Sequence, residues 1–136
     1  MPDFKRKPVK IMAPKVLVID FRPAAVPEDW NKAEALASQY AQTMRTASGN
    51  KLIYQIVKKT IVVDYPALED GRRYTDVTWA QARQNDKLAY RDSHGNYMMA
   101  NYMGIIQEHG LLEQVRDKVI DEVWMFGGPY FGFYES

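Results

Sequence analysis

Asp20 closes the apolar run Val16-Leu17-Val18-Ile19, and Asp64 closes Ile61-Val62-Val63. An acid directly behind a buried strand stands at that strand's carboxyl end, where open parallel sheets bind their ligands. If the two strands run parallel, both carboxyls reach one rim. Such a pair among aromatic side chains suits glycoside hydrolysis. One carboxyl protonates the leaving oxygen, the other attacks or activates water, and ring faces hold the sugar. The Gly127-Gly128-Pro129 turn behind Trp124-Met125-Phe126 would bring further groups to the same rim. The sequence thus nominates Asp20 and Asp64 as catalytic, and Trp124, Tyr130 and Glu135 as substrate-binding. The same carboxylates could instead hold Mg2+ or Ca2+ through hard oxygen ligands. A plainer role for either aspartate is to cap its own loop, and for Trp30, Trp79 and Trp124 it is to fill the core.

The other residue types narrow the chemistry. There is no cysteine, so thiol nucleophiles, disulfides, iron–sulfur clusters and thiolate zinc sites are excluded. His94 and His109 are the only histidines, too few for a three-histidine metal site within one chain. No Gly-x-x-x-x-Gly-Lys-Ser/Thr loop, Gly-x-Gly-x-x-Gly fingerprint or Gly-x-Ser-x-Gly elbow occurs. The sequence therefore gives no reason to expect a metal or any other cofactor. The expected substrate is a small molecule or carbohydrate.

Positioning these groups requires strands and helices in alternation. Val16–Ile19, entered by Lys15 and closed by Asp20, is continuously apolar, as a strand covered on both faces of a parallel sheet should be. Pro27, Glu28 and Asp29 suit a helix start. From Trp30 to Ala47 apolar residues recur at steps of three and four, until Gly49-Asn50 ends the pattern. Leu52–Val57 and Thr60–Val63 read as one strand broken at Lys58-Lys59, or as two. Asp64–Gly71 is loop. Thr75 or Asp76 caps a short helix through Trp79 to Arg83, and Gln84–Gly95 is polar and turn-rich. Ser93 or Asn96 caps a helix over Tyr97–His109, Leu111–Lys118 adds helical turns, and Val119–Phe126 is the last strand. The expected fold is α/β, with a small, mostly parallel sheet of three or four strands flanked by helices.

At 136 residues and 15.7 kDa, the chain makes one domain, expected over 15–136 behind a basic, flexible arm at 1–14. Residues 1–22 hold six basic and two acidic side chains, whereas 23–136 hold twelve and fifteen. Lys5, Arg6, Lys7 and Lys10 could touch a polyanion, but a net charge of +1 offers nucleic acid no overall field. The apolar run Val16–Ile19 is too short for an export signal or a membrane span, so a cytoplasmic chain without membrane contact is expected. At the other end, Trp124 to Tyr134 holds six aromatics in eleven residues. That surface needs a cover: the domain's own core, a ligand, a further part of the protein, or a second subunit. A homo-oligomer built on this tail is the expected partnership. A non-catalytic or truncated module that binds through the tail is accordingly the alternative to a hydrolase.

The stretch from Asp121 to Ser136, which includes Trp124, Gly127-Gly128-Pro129 and Phe131-Gly132-Phe133, resembles a segment of a family of longer, uncharacterised bacterial proteins. The likeness extends back through Asp70-Gly71 and Tyr74-Thr75-Asp76 to the strand that ends at Asp20. It implies that this chain matches the N-terminal part of such proteins, whose chains continue beyond this point. It implies no activity, and no site residue is carried over from it.

Overall fold

The computed structural model describes residues 10–27 and 32–133. Strand β1 (Lys15–Phe21) is followed by helix α1 (Ala33–Ala47) and strand β2 (Gln55–Val62). Helix α2 (Asp76–Gln84), a short 3-10 turn (Asp86–Leu88), helices α3 (Tyr102–Glu108) and α4 (Leu111–Arg116), and strand β3 (Glu122–Phe126) complete the order. The strands form one parallel sheet in the order β2-β1-β3, flanked by the helices. This is the small α/β fold expected, with three strands.

β1 occupies the centre, which explains its unbroken apolar run. Val16 and Val18 face α1 and pack with Ala37, Tyr54, Trp124 and Phe126. Leu17, Ile19 and Phe21 face the other way, into the core beneath α2, α3 and α4. Because right-handed crossovers to opposite sides of β1 place their helices on opposite faces, both faces of β1 are covered. β2 runs unbroken through Lys58-Lys59, with a bulge opposite Val16 and Leu17 that skips Val57. As an edge strand its lysines reach solvent, so they do not interrupt it.

α1 begins at Ala33, so the proposed first turn at Glu28 and Asp29, and Trp30 with it, lies outside the described residues. Its apolar stripe is present, yet the buried members are Ala33 and Ala37 while Leu36 and Tyr40 stay exposed. Thr75 caps α2, accepting from Thr78 N at 3.1 Å, as expected of that residue.

The helix expected over Tyr97–His109 is shorter. It starts at Tyr102, capped by Asn101, which accepts from Gly104 N at 3.0 Å. Before it the chain is extended, because its backbone is taken by distant partners. Met98 N donates to Tyr90 O, Glu69 N to Met99 O, and Ala100 N to Gly132 O. Met12 already pairs with the chain before β2, donating to Lys51 O and accepting from Ile53 N, each at 2.8 Å. Lys5, Arg6 and Lys7 of the basic arm lie outside the described residues.

After β3 the aromatic segment folds back over the α2–α4 layer. Phe131 is 1% exposed, packed edge-on to Tyr65 and Trp79 with ring centres 5.4 and 6.3 Å apart. Phe133 lies 5.6 Å from Phe21, and Trp79 Nε1 donates to Pro129 O at 2.8 Å. Gly132 is required here: its φ is +88°, and a Cβ would stand 2.3 Å from Ala100 N. Of the covers considered for the aromatic tail, the domain's own core takes Phe131. Trp79, 2% exposed, is a core residue.

Candidate functional site

Asp20 is the penultimate residue of the central strand and points to the α1 face, in step with Val16 and Val18. It is 5% exposed and is the one buried charged side chain among the described residues. Burying a carboxylate is costly unless it is paired. Arg22, two residues on, supplies the pairing through Nε at 3.1 Å from Oδ2. The chain leaves the sheet here at the carboxyl end of the central strand, the edge outside which open α/β sheets bind their ligands.

Asp20 opens into a cleft of about 560 Å3, lined also by Arg22, Lys32, Glu34, Ser38 and Lys59. Glu34 stands in the first turn of α1 and Lys59 in the middle of β2. Lys59 Nζ donates to Glu34 Oε2 at 2.7 Å. That bond, seconded by the lysine's charge, holds the Glu34 carboxyl below its ordinary value and keeps it ionised. Two carboxylates and three cations thus border one cleft.

Asp64 does not line that cleft. It sits in the turn after β2, accepts from Tyr65 N at 2.7 Å, and meets Arg73 at 3.3 Å. The same Arg73 nitrogen donates to Tyr65 O at 2.9 Å, and Tyr65 Oη donates to Asp76 Oδ1 at 2.9 Å. Burial raises the Tyr65 phenol, with the Asp76 hydrogen bond adding to it. Asp64 therefore belongs to a loop bound into the α2 layer, whereas Asp20 opens on the α1 layer. Parallel strands bring both residues to the carboxyl edge of the sheet, but they leave it towards opposite faces.

The other nominated residues also separate. Trp124 is on the α1 face, edge-on to Tyr40 and Tyr54 with ring centres at 5.2 and 4.9 Å. It borders a second, apolar groove and not the Asp20 cleft. Tyr130 is on the α2–α4 side, where its hydroxyl donates to Asp86 Oδ1 at 2.9 Å. Asp86 also accepts from the Tyr97 hydroxyl and pairs with Arg91 at 2.6 Å. Glu135 lies outside the described residues.

Sequence reasoning missed Glu34 and Lys59, which are far apart along the chain and meet only when β2 lies beside β1 beneath α1. An acid in the first turn of a helix reads simply as a partner of the helix dipole. The Asp86 cluster was missed too, because its stretch reads as solvated turns. Among the described residues, no group of three or more acids and histidines is placed to hold a metal, and no helix is long and apolar enough to cross a membrane. No known protein family, curated protein or solved structure matches the chain.

Proposed function

We propose that the chain is a small hydrolase of glycosidic bonds that works from the Asp20 cleft, with Glu34 taking the place first given to Asp64. The observation that carries this reading is the buried Asp20, placed at the carboxyl edge of the sheet and sharing its cleft with a second carboxylate. Glu34, ionised beside Lys59, is suited to take a proton from the attacking water. Asp20, held as a carboxylate by Arg22, then faces the positive charge that develops on the sugar ring as the bond breaks. Water adds to the anomeric carbon as the glycosidic C–O bond breaks, so one proton enters Glu34 and the leaving oxygen takes one from solvent. Arg22, Lys32 and Lys59 give the cleft an excess of one positive charge over Asp20 and Glu34. Sugars that bear an acid group fit that balance better than neutral ones.

The test is turnover of a panel of neutral and acidic aryl glycosides by the wild type and three variants. Asp20→Asn and Glu34→Gln are each expected to lower kcat by about 100-fold or more, the usual reach of a charge at the reacting centre and of a general base. Asp64→Asn is expected to keep wild-type turnover. Absence of turnover by the wild type on every glycoside overturns the reading, as does full activity in Asp20→Asn.

A further inference from the structure

The cations of the Asp20 cleft are not equivalent. Arg22 is paired with Asp20, and Lys59 with Glu34. Lys32 lines the same cleft, is exposed, and pairs with no carboxylate among the described residues. The cleft's positive charge in excess therefore stands at Lys32, directly before the first turn of α1 that carries Glu34.

The supply of protons is uneven too. Asp20 and Glu34 each accept from a cation, and a carboxylate used in that way has no proton to give. No histidine or tyrosine lines the cleft among the described residues. A glycoside with an alcohol as leaving group breaks slowly in such a place, because an alkoxide departs only as a positioned acid protonates it. A phosphate departs differently. Its second pKa is about 6, so it leaves as an anion, with the electron pair of the broken bond. What it needs is a cation to receive it, and Lys32 is the one that no carboxylate of the cleft engages.

We propose that the substrates of this cleft are glycosyl phosphates, with Lys32 receiving the phosphate as it leaves. The proposal rests on the hydrolase reading and specifies its leaving group. The oxygen of water bonds to the anomeric carbon, the bond from that carbon to the phosphate oxygen breaks, and Glu34 takes the proton of the water. The products are the free sugar and a phosphate anion, which collects that proton through solvent. The cleft's volume of about 560 Å3 lies in the usual range of small-molecule sites. A sugar monophosphate and a nucleoside diphosphate sugar present the same anomeric phosphate, so both belong to the class.

Turnover by the whole chain tests it, on the anomeric phosphates of glucose, galactose and mannose, their nucleoside diphosphate forms, and their para-nitrophenyl and methyl glycosides. The phosphates should react fastest and the methyl glycosides about a thousandfold more slowly, the cost of an absent general acid. The higher kcat/KM between monophosphate and nucleoside diphosphate identifies the source of the phosphate. In water enriched in heavy oxygen, the label should enter the sugar and not the phosphate. Lys32→Ala should lower the ratio of kcat/KM for the phosphate to that for the para-nitrophenyl glycoside by about tenfold or more, and Lys32→Arg should restore it. Inorganic phosphate should compete with substrate, about tenfold more weakly in Lys32→Ala. Turnover of para-nitrophenyl glycosides overturns this inference alone if methyl glycosides react as fast as phosphates, if the label enters phosphate, or if Lys32→Ala leaves the ratio unchanged. Turnover of none of these compounds overturns the hydrolase reading with it.

Discussion

On one face of β1, Val16 and Val18 meet a single buried residue of α1, Ala37. On the other, Leu17, Ile19 and Phe21 join a continuous cluster that takes in Leu68, Tyr74, Trp79, Ile105, Leu111, Ile120 and Phe131. The same strand supplies both sides, so the difference comes from what covers them. α1 approaches with alanines, and its larger side chains fall beside the sheet. The α2–α4 layer approaches with aromatics, and the segment after β3 seals it with Phe131 and Phe133. Stability is therefore expected to rest on the α2–α4 face, leaving the α1 face free for recognition and chemistry. The cleft of Asp20 and the groove of Trp124 both open there.

Matched tryptophans give the largest separation between the faces. Trp79→Ala removes a 2% exposed ring and the indole bond to Pro129 O, and should cost about 3–5 kcal/mol. Trp124→Ala removes a ring that is only partly buried, packed edge-on to Tyr40 and Tyr54, and should cost about 1–2 kcal/mol. Urea unfolding with equal m-values measures both. Equal costs would mean that the α1 face carries a full share of the core, and the contrast would fail.

Two glycines sharpen the role of the returning segment. Gly71 and Gly132 have the same φ of +88°, but a Cβ at Gly71 meets nothing within 4 Å, whereas one at Gly132 stands 2.3 Å from Ala100 N. Gly71→Ala should cost only the left-handed conformation, about 1–2 kcal/mol. Gly132→Ala adds displacement of a backbone pairing and should cost about 1–3 kcal/mol more. If the two variants unfold at the same denaturant concentration, the close approach of the tail to the 97–100 segment contributes nothing.

What was legible in the sequence follows from how local its causes are. The centre of the sheet could be read because a doubly covered strand needs nothing but apolar residues, and Val16–Ile19 supplies them. Thr75 could be read as a cap because its partner, Thr78, is three residues away. The helix expected from Tyr97 was misread as far as Asn101 because Tyr90, Glu69 and Gly132 claim its backbone from across the fold. The rim was half legible: parallel strands do bring Asp20 and Asp64 to one edge. Which face each leaves by depends on Arg73 and Tyr65 at one residue and on α1 at the other, and no spacing encodes that. Glu34 and Lys59 meet only through the β1–β2 register, which is a property of the assembled sheet.

The smallest effect expected belongs to the outer rim of the sealed face, where Asp86 fastens Tyr130. Tyr130 is a non-glycine residue at φ +67°, and its hydroxyl is held by Asp86. Hydrogen bonds from Tyr97 and Tyr130, then Arg91, keep the Asp86 carboxyl below its ordinary value. The bond to Asp86, followed by burial, pushes the Tyr130 phenol up to about 12. The two shifts act at opposite ends of the pH scale. Asp86 is depressed in the folded chain, so its contribution is complete above the ordinary carboxyl range and fades as pH falls through the folded value. Tyr130 is raised, so its contribution is complete below the ordinary phenol value of about 10 and fades as pH rises through about 12. Asp86→Asn keeps the shape and removes the charge. It should flatten the acid limb of the Tm–pH curve and bring one phenol of the 295 nm titration back towards about 10. The groups are open to solvent, so added salt should shrink both shifts. An unchanged phenolate titration in Asp86→Asn would show that the segment after β3 is held by Phe131 and Gly132 alone, and the comparison between the faces would then rest entirely on packing.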